Sequence, residues 1–230
     1  LAADLPVRTN CAVTEIIDAP TSVQLNTTQG KFEAEKVVFC LNAFSSELLP
    51  EFQGLYVPLR GQMLRLPLKL KPPTERPIIT NYGEIYWHFT DTHINFGGLE
   101  FRVPEDETGI ATDVSKRITD VQVDWIRQFM NPDLFASFDP VRTWCSTMAF
   151  TVDGFPFVGA LKCPRCYVLA GLCGLGHSYA LEAARWIHEL ITAGRNIIPE
   201  FCSSDRMNSL PRFEGGDWRN QNETWNHGIH

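Results

Sequence analysis

GLCGLGHSYALEAARWIHEL, residues 171–190, is the most informative stretch of this chain. Its glycines at 171, 174 and 176 are spaced G-x-x-G-x-G, and an alanine-rich segment follows. The run before it, CYVLAG from Cys166, reads as a short buried strand. SYALEAARWIHELITAG then predicts a helix with Ala180, Ala183, Ala184, Ile187 and Ile191 on its packing side and Gly194 as its stop. A strand, a glycine turn and a helix bring unpaired N–H groups and a partial positive charge to the end of a sheet. Two readings stay open. The glycines permit tight strand-to-helix packing and nothing more, or a cofactor edge rests on the backbone of residues 172–177. The dinucleotide fingerprint G-x-G-x-x-G occurs nowhere in the chain.

Upstream, WCSTMAFTVDGFPFVG (144–159) contains a polar T-x-D-G in an apolar setting. That pattern implies a turn pinned by the Asp153 side chain, with a plain Asx-turn as the simplest account. RTWCSTMAF is strand-like. Residues 6–41 read as three strands, VRTNCAVTEIID, SVQLNTT and KFEAEKVVFCLN, with Gly30 in the turn between the last two. The VVFCL run predicts burial on both faces, and Ser45 or Ser46 could cap a short helix after it. YVPLRGQMLRLPL alternates as a strand, and EIYWHFTDTHINFGGLE predicts two strands around a turn near Asp91. Helical spacing at 113–130 puts Ile118, Val121, Trp125 and Phe129 on one face, with Trp125 and Phe129 assigned to the core. The polar tail after Pro199 is expected to be loosely held.

Taken together, T-x-D-G-x-P-x-x-G followed about a dozen residues later by a strand and G-x-x-G-x-G-x-x-x-A resembles the C-terminal signature of the D-amino-acid-oxidase-like FAD oxidoreductases, the group of glycine, sarcosine and gamma-glutamylputrescine oxidases. CAVTEI, EKVVFCLNAFSSELLP and VPLRGQMLRL occur in that family's order, and Asn42-Ala43 is most like the putrescine-oxidase-type branch. The resemblance spans roughly residues 6–195. It implies an α+β chain: part of an FAD-binding domain over 1–50, a substrate domain with a mixed or antiparallel sheet over 51–140, a return to the FAD-binding domain over 141–195 and a tail over 196–230. The family's opening βαβ unit is absent from this sequence, which implies a fragment of the nucleotide-binding fold.

The resemblance also implies roles. The backbone of Val13 faces the adenine of FAD. Asn42, Ala43 and Phe44 line the nucleotide side of the cleft. Gly171, Leu172, Cys173, Gly174, Leu175, Gly176 and His177 wrap the pyrimidine edge of the flavin. Thr151 and Asp153 brace that loop. Arg60 and Gln62 fall in the R-G-Q segment at the junction with the substrate domain, and Trp87, His88 and Asn95 lie on the sheet that roofs the pocket. Met148 stands where glycine-oxidase-like members carry an Arg for the substrate carboxylate. A small amine, or an amino acid anchored elsewhere, therefore fits best. The implied chemistry is oxidation of a C–N bond by hydride transfer to flavin, which needs positioning and a dry pocket more than an acid–base pair.

Composition narrows the rivals. The chain has 230 residues, 44% apolar and 20% charged, a globular balance. A formal charge of −7 disfavours a nucleic-acid partner. No apolar run is long enough for a membrane span. The N-terminus, LAADLPVRTN, has neither a start Met nor a signal-peptide pattern. Seven scattered cysteines point to a reduced, intracellular, cytoplasmic setting rather than a disulfide framework. Cys145 lies one position from the family's covalent flavin attachment and is expected to pack as a small apolar residue. No metal site is expected: Cys163-Pro-Arg-Cys166 offers two ligands where zinc needs four. That pair leaves a thiol redox module as one alternative. A non-catalytic scaffold that never holds flavin is the other.

Overall fold

The structure is a computed structural model that describes residues 5–213. In chain order it contains β1 (Val13–Asp18), β2 (Val23–Thr27), β3 (Gly30–Ala34), β4 (Val37–Phe39), α1 (Ser45–Leu48), β5 (Tyr56–Pro67), β6 (Ile78–Thr80), β7 (Ile85–Phe89), β8 (His93–Gly98), α2 (Pro104–Glu107), α3 (Lys116–Phe129), β9 (Arg142–Thr151), β10 (Phe157–Ala160), β11 (Cys166–Ala170) and α4 (Gly176–Ala193). Short 3-10 turns lie between them. The chain divides into two compact units, one of residues up to Tyr56 and from Ala149 onward, the other of residues 57–148.

The first unit holds an antiparallel sheet β1-β2-β3 and a mixed sheet β10-β11-β4, in which β11 pairs antiparallel with β10 and parallel with β4. Strand alternation covers both faces of the mixed sheet. Phe157, Cys166, Val168 and Ala170 turn to a core with Phe39, Phe52 and Leu55. Phe52 meets Phe157 edge-on, with ring centroids 5.7 Å apart. Val158 and Tyr167 turn the other way, onto Ala183, Trp186 and Ile187 of α4 and onto Cys202. Burying each large side chain of this kind stabilises by roughly 1.5–3 kcal/mol.

Several expectations are corrected here. The first strand starts at Val13, because Asn10 adopts a left-handed φ of 57° that breaks the extended run. The expected third strand is two. It breaks at Glu35–Lys36, so β3 stays in the antiparallel sheet while β4 joins the other, its Val37 N–H donating to Arg165 O at 2.9 Å. The VVFCL run is not buried on both faces, since Val38 is 41% exposed and Cys40 is exposed. Neither Ser45 nor Ser46 caps α1; Ser45 is buried and Phe44 occupies the cap position. On α4 the packing side is Ala183, Trp186 and Ile187, flanked by Leu190 and Ile191, while Ala180 and Ala184 are exposed. Gly194 does stop the helix, at φ 66°.

The segment after Pro199 is not loose as far as it is described. Cys202 and Ser204 are buried, Met207 and Leu210 pack on the core, and Arg206 pairs with Asp153. The rest of that expected tail, from residue 214, lies outside the described residues.

The second unit is built on a five-stranded sheet of order β6-β7-β8-β5-β9. Leu64 and Leu66 of β5 and Ile94 and Phe96 of β8 are fully buried against Val123 and Ile126 of α3. Ser115 caps α3, accepting a hydrogen bond from Ile118 N–H at 3.3 Å. The buried face of α3 is Ile118, Gln122, Val123 and Ile126. Trp125 packs beside this core, but Phe129, assigned to it from spacing, is 58% exposed at the frayed last turn. Strand β6 has no counterpart in the sequence reading. In the β7–β8 hairpin Gly98 is obligatory: at φ 99° a Cβ there would sit 2.0 Å from Glu84 O. Among the described residues no helix is long and apolar enough to cross a membrane.

Candidate functional site

The glycine turn of the first unit is held from below by one threonine. Thr151 is fully buried, donates to Phe155 O at 2.9 Å, and meets the Cys173 thiol through both its hydroxyl (3.3 Å) and its N–H (3.4 Å). Gly171, at φ 70°, lies on top of it; a Cβ at that position would come within 2.4 Å of Thr151 Cγ2. Cys173 is itself in the left-handed region at φ 49°, a conformation costly for a side chain without glycine's freedom. Its N–H donates to Ala149 O at 2.9 Å, and burial pushes its thiol pKa up. The Cys173 side chain therefore points into the protein and presents only backbone to the outside. Gly174, Leu175 and His177 are exposed.

Helix α4 starts at Gly176 without a side-chain cap and without an acidic residue in its first turn. Ser178 and Tyr179 N–H both donate to Leu175 O. The N–H groups of Gly174, Gly176 and His177 take no partner among the described residues. The turn and the helix end thus offer unpaired donors and a partial positive charge with no carboxylate in the helix's first turn.

The loop after β4 is tied to this turn. Asn42, at φ 46°, accepts a hydrogen bond on Oδ1 from Leu172 N–H at 3.3 Å. Asn tolerates this left-handed backbone better than most residues, and its carbonyl doubles as the tether. Ala43 is buried in the core, its carbonyl accepting from the Tyr56 hydroxyl at 3.0 Å. Phe44 is 39% exposed. Val13 begins β1, half-buried, in the antiparallel sheet. Asn42 and Leu172 of the turn are therefore brought together.

Asp153 is pinned as expected for an Asx-turn, accepting from Phe155 N–H at 3.2 Å. Its other partner was not legible in sequence: Arg206 reaches it at 2.8 Å and also lies 4.2 Å over the Phe157 ring. Fifty-odd residues of separation leave no local signal for that pair.

In the second unit Gln62 is fully buried and committed. Its amide donates to Ser115 O (2.8 Å) and Thr119 Oγ1 (2.9 Å), and its carbonyl accepts from Ser115 N–H (2.7 Å), so both amide hydrogens hold the start of α3. Arg60 is buried and binds the Asp113 carbonyl, with the Asp113 carboxylate at 3.5 Å. Trp87 stacks near-parallel on Phe96 at 6.1 Å. Asn95 is buried, accepts from Arg65 Nε at 2.7 Å and contacts His88 Nε2 at 2.9 Å. Met148 is half-buried in β9, its methyl 2.9 Å from where a Cβ on Gly61 would be. Cys145, expected to pack as a small apolar residue, is half-buried there too. Sequence reasoning missed Glu100, whose buried carboxylate accepts from Gln62 N–H at 2.8 Å. Burial raises its pKa to about 7, with the Glu107 charge adding to the effect. A lone Glu after the apolar NFGGL run was the available clue. No group of three or more His, Cys, Asp or Glu among the described residues is placed to hold a metal ion.

Residues 2–190 match the family described as FAD dependent oxidoreductase. No curated protein sequence matches the chain. Among solved structures, L-proline dehydrogenase from P. horikoshii is similar at TM-score 0.67 and 21% identity, over 86% of this chain and 54% of that one. Glycine oxidase from Geobacillus kaustophilus is similar at TM-score 0.63 and 17% identity, over 82% and 50%. Iminodiacetate oxidase from Chelativorans sp. BNC1 is similar at TM-score 0.64 and 16% identity, over 84% and 52%. At these identities the likeness is one of fold, and the chain spans about half the length of each of these structures.

Proposed function

Because this chain belongs to the FAD dependent oxidoreductase family, whose cofactor is FAD, we propose that it is part of an enzyme oxidising the C–N bond of a small amine or amino acid. The observation that carries this reading is the Thr151-braced glycine turn feeding an uncapped helix, with the N–H groups of Gly174, Gly176 and His177 unpartnered among the described residues. Those residues fit one edge of a flavin: the backbone can approach closely, donors are unpaired and the helix end favours arriving negative charge. Asn42 holds the neighbouring loop against the turn, and exposed Phe44 offers an apolar wall.

When bound, FAD would supply the acceptor for a hydride from the carbon next to nitrogen. The chain's own residues supply orientation. The amides of Gly174, Gly176 and His177 would donate to the acceptor edge, while that of Leu175 is spent on Leu172 O. The α4 N-terminus stabilises charge there without a proton changing hands. In the second unit the Gln62 amide is spent on α3, so it serves as a positioning residue rather than a substrate ligand. Met148, where a carboxylate-binding Arg would be needed for a simple amino acid, supports an amine or an amino acid anchored elsewhere. L-proline, glycine and iminodiacetate, in the printed names of the three similar structures, all carry the C–N bond this chemistry needs.

The test is a visible absorption spectrum of the purified protein before and after FAD is added, followed by anaerobic addition of a panel of amines and amino acids. Uptake of flavin and its bleaching by one of them supports the reading. Uptake without bleaching by any of them rejects the C–N substrate class, and no uptake rejects the flavin site.

A further inference from the structure

The hairpin turn between β10 and β11 carries Cys163-Pro164-Arg165-Cys166. It is a hydrogen-bonded four-residue turn, Cys166 N–H donating to Cys163 O at 2.9 Å, with Pro at the position whose φ it presets. Such a turn brings its first and last side chains to the same side. The two sulfurs are 2.6 Å apart, both as free thiols. The surroundings hold the turn in place. Leu161 N–H donates to Cys166 O at 2.8 Å, Val37 N–H to Arg165 O at 2.9 Å, and the Arg165 guanidinium binds Asp18 at 2.7 Å and the Ala19 carbonyl. The thiols are also unequal: Cys166 is 1% exposed, whereas Cys163 is half-buried and open to a reagent.

We propose that Cys163 and Cys166 form a reversible dithiol–disulfide site, oxidised by small disulfides of the glutathione class. The thiolate of Cys163 attacks one sulfur of the small disulfide. A Cys163–S–S–R bond forms, and one thiolate, RS⁻, leaves. Cys166 then gives its proton to solvent and attacks the Cys163 sulfur, forming the intramolecular disulfide and expelling the second RS⁻. Two protein thiols are oxidised, and one small disulfide is reduced to two thiols. The first attack falls to Cys163 on access. Burial, then the contact with Cys163, raises the Cys166 thiol pKa to about 12, which makes the second step the slower one. The second step gains from a turn that already holds the attacking sulfur at its target. The site is independent of flavin. It would close the turn that leads into β11, the strand that runs directly into the glycine turn.

The experiment equilibrates the full wild-type chain in oxidised and reduced glutathione mixtures, quenches free thiols with N-ethylmaleimide and maps the peptides by mass. In the most oxidising mixture the expected result is a 163–166 peptide lacking two hydrogens and carrying no label, fully restored to two labels by dithiothreitol. Exposed Cys40 reports that the reagent was active by carrying glutathione. The Cys166→Ser variant is expected to stop with glutathione on Cys163, and Cys163→Ser to leave Cys166 without it. Two labels on 163 and 166 while Cys40 is glutathionylated would overturn the proposal. So would glutathione retained on wild-type Cys163 at equilibrium, since the turn would then fail to deliver its second sulfur.

Discussion

The glycine turn at 171–177 and the β5–α3 junction are both hydrogen-bonded, yet they are built in opposite ways. The turn is made of backbone. Three residues at left-handed φ, Gly171, Cys173 and Gly174, and a close approach to Thr151 leave N–H groups without a partner among the described residues. The junction is made of side chains bonded mostly to backbone: Gln62 on Ser115 and Thr119, Gln122 donating to Gln62 O and Gly98 O at 2.9 Å, and Glu100 on Gln62 N–H. A region whose donors are all internally consumed holds structure. A region with unpaired backbone donors can offer them to a ligand.

The largest expected effect is on the turn. Gly171→Ala forces a Cβ into Thr151 Cγ2 at a φ of 70°. Denaturant unfolding is expected to show a loss of about 3 kcal/mol. A loss under about 1 kcal/mol would mean that the close packing there is not what fixes the turn.

Next comes the pH dependence of the junction. The Glu100 pKa is raised from 4.5 to about 7 by burial. The folded state therefore binds more protons than the unfolded state between those values. Stability from this group is present below about pH 4.5, falls as pH rises through that window and is flat above about 7, a total of about 3 kcal/mol. Glu100→Gln is expected to remove that slope while keeping an acceptor for Gln62 N–H. Urea midpoints taken from pH 5 to 8 on both proteins would show parallel slopes if Glu100 is not the titrating group.

Gln62→Leu keeps the volume and removes the amide, stranding Ser115 N–H and its carbonyl at the start of α3. A loss of about 2 kcal/mol is expected. Its effect on flavin uptake should be no larger than the loss of folded protein accounts for, because the amide faces α3 and not an open site. A selective loss of flavin at full stability would make Gln62 part of the binding machinery instead.

The parts of the fold legible in sequence are those with a local period. Alternation marked β5, β7 and β8, and the strand–glycine–helix run marked β11 and α4. The break between β3 and β4 was not legible because Glu35-Lys36 carries neither Gly nor Pro to mark a turn. Phe129 has core spacing, but it falls on the last turn, where the core has ended. At the site, glycine spacing pointed to the turn, while its brace was only half visible. Thr151 was named from the motif, but its grip on Cys173 and the Arg206 partner of Asp153 are contacts across 22 and 53 residues that no window contains. Gln62 was named as a pocket residue for its place in R-G-Q. Its actual commitment to α3 depends on a helix start more than fifty residues away.

Gly176→Ala tests most directly whether the turn and the first residues of α4 take the edge of a flavin. The position has no left-handed φ, and a Cβ there meets only the end of Leu172, at 3.3 Å, so thermal unfolding should be unchanged or slightly improved. The added methyl stands beside the unpaired N–H groups. FAD titration followed by visible absorbance is expected to show affinity reduced by at least about tenfold, or about 1.4 kcal/mol. Equal affinity in the variant, or no flavin uptake by the wild-type protein, would contradict the account.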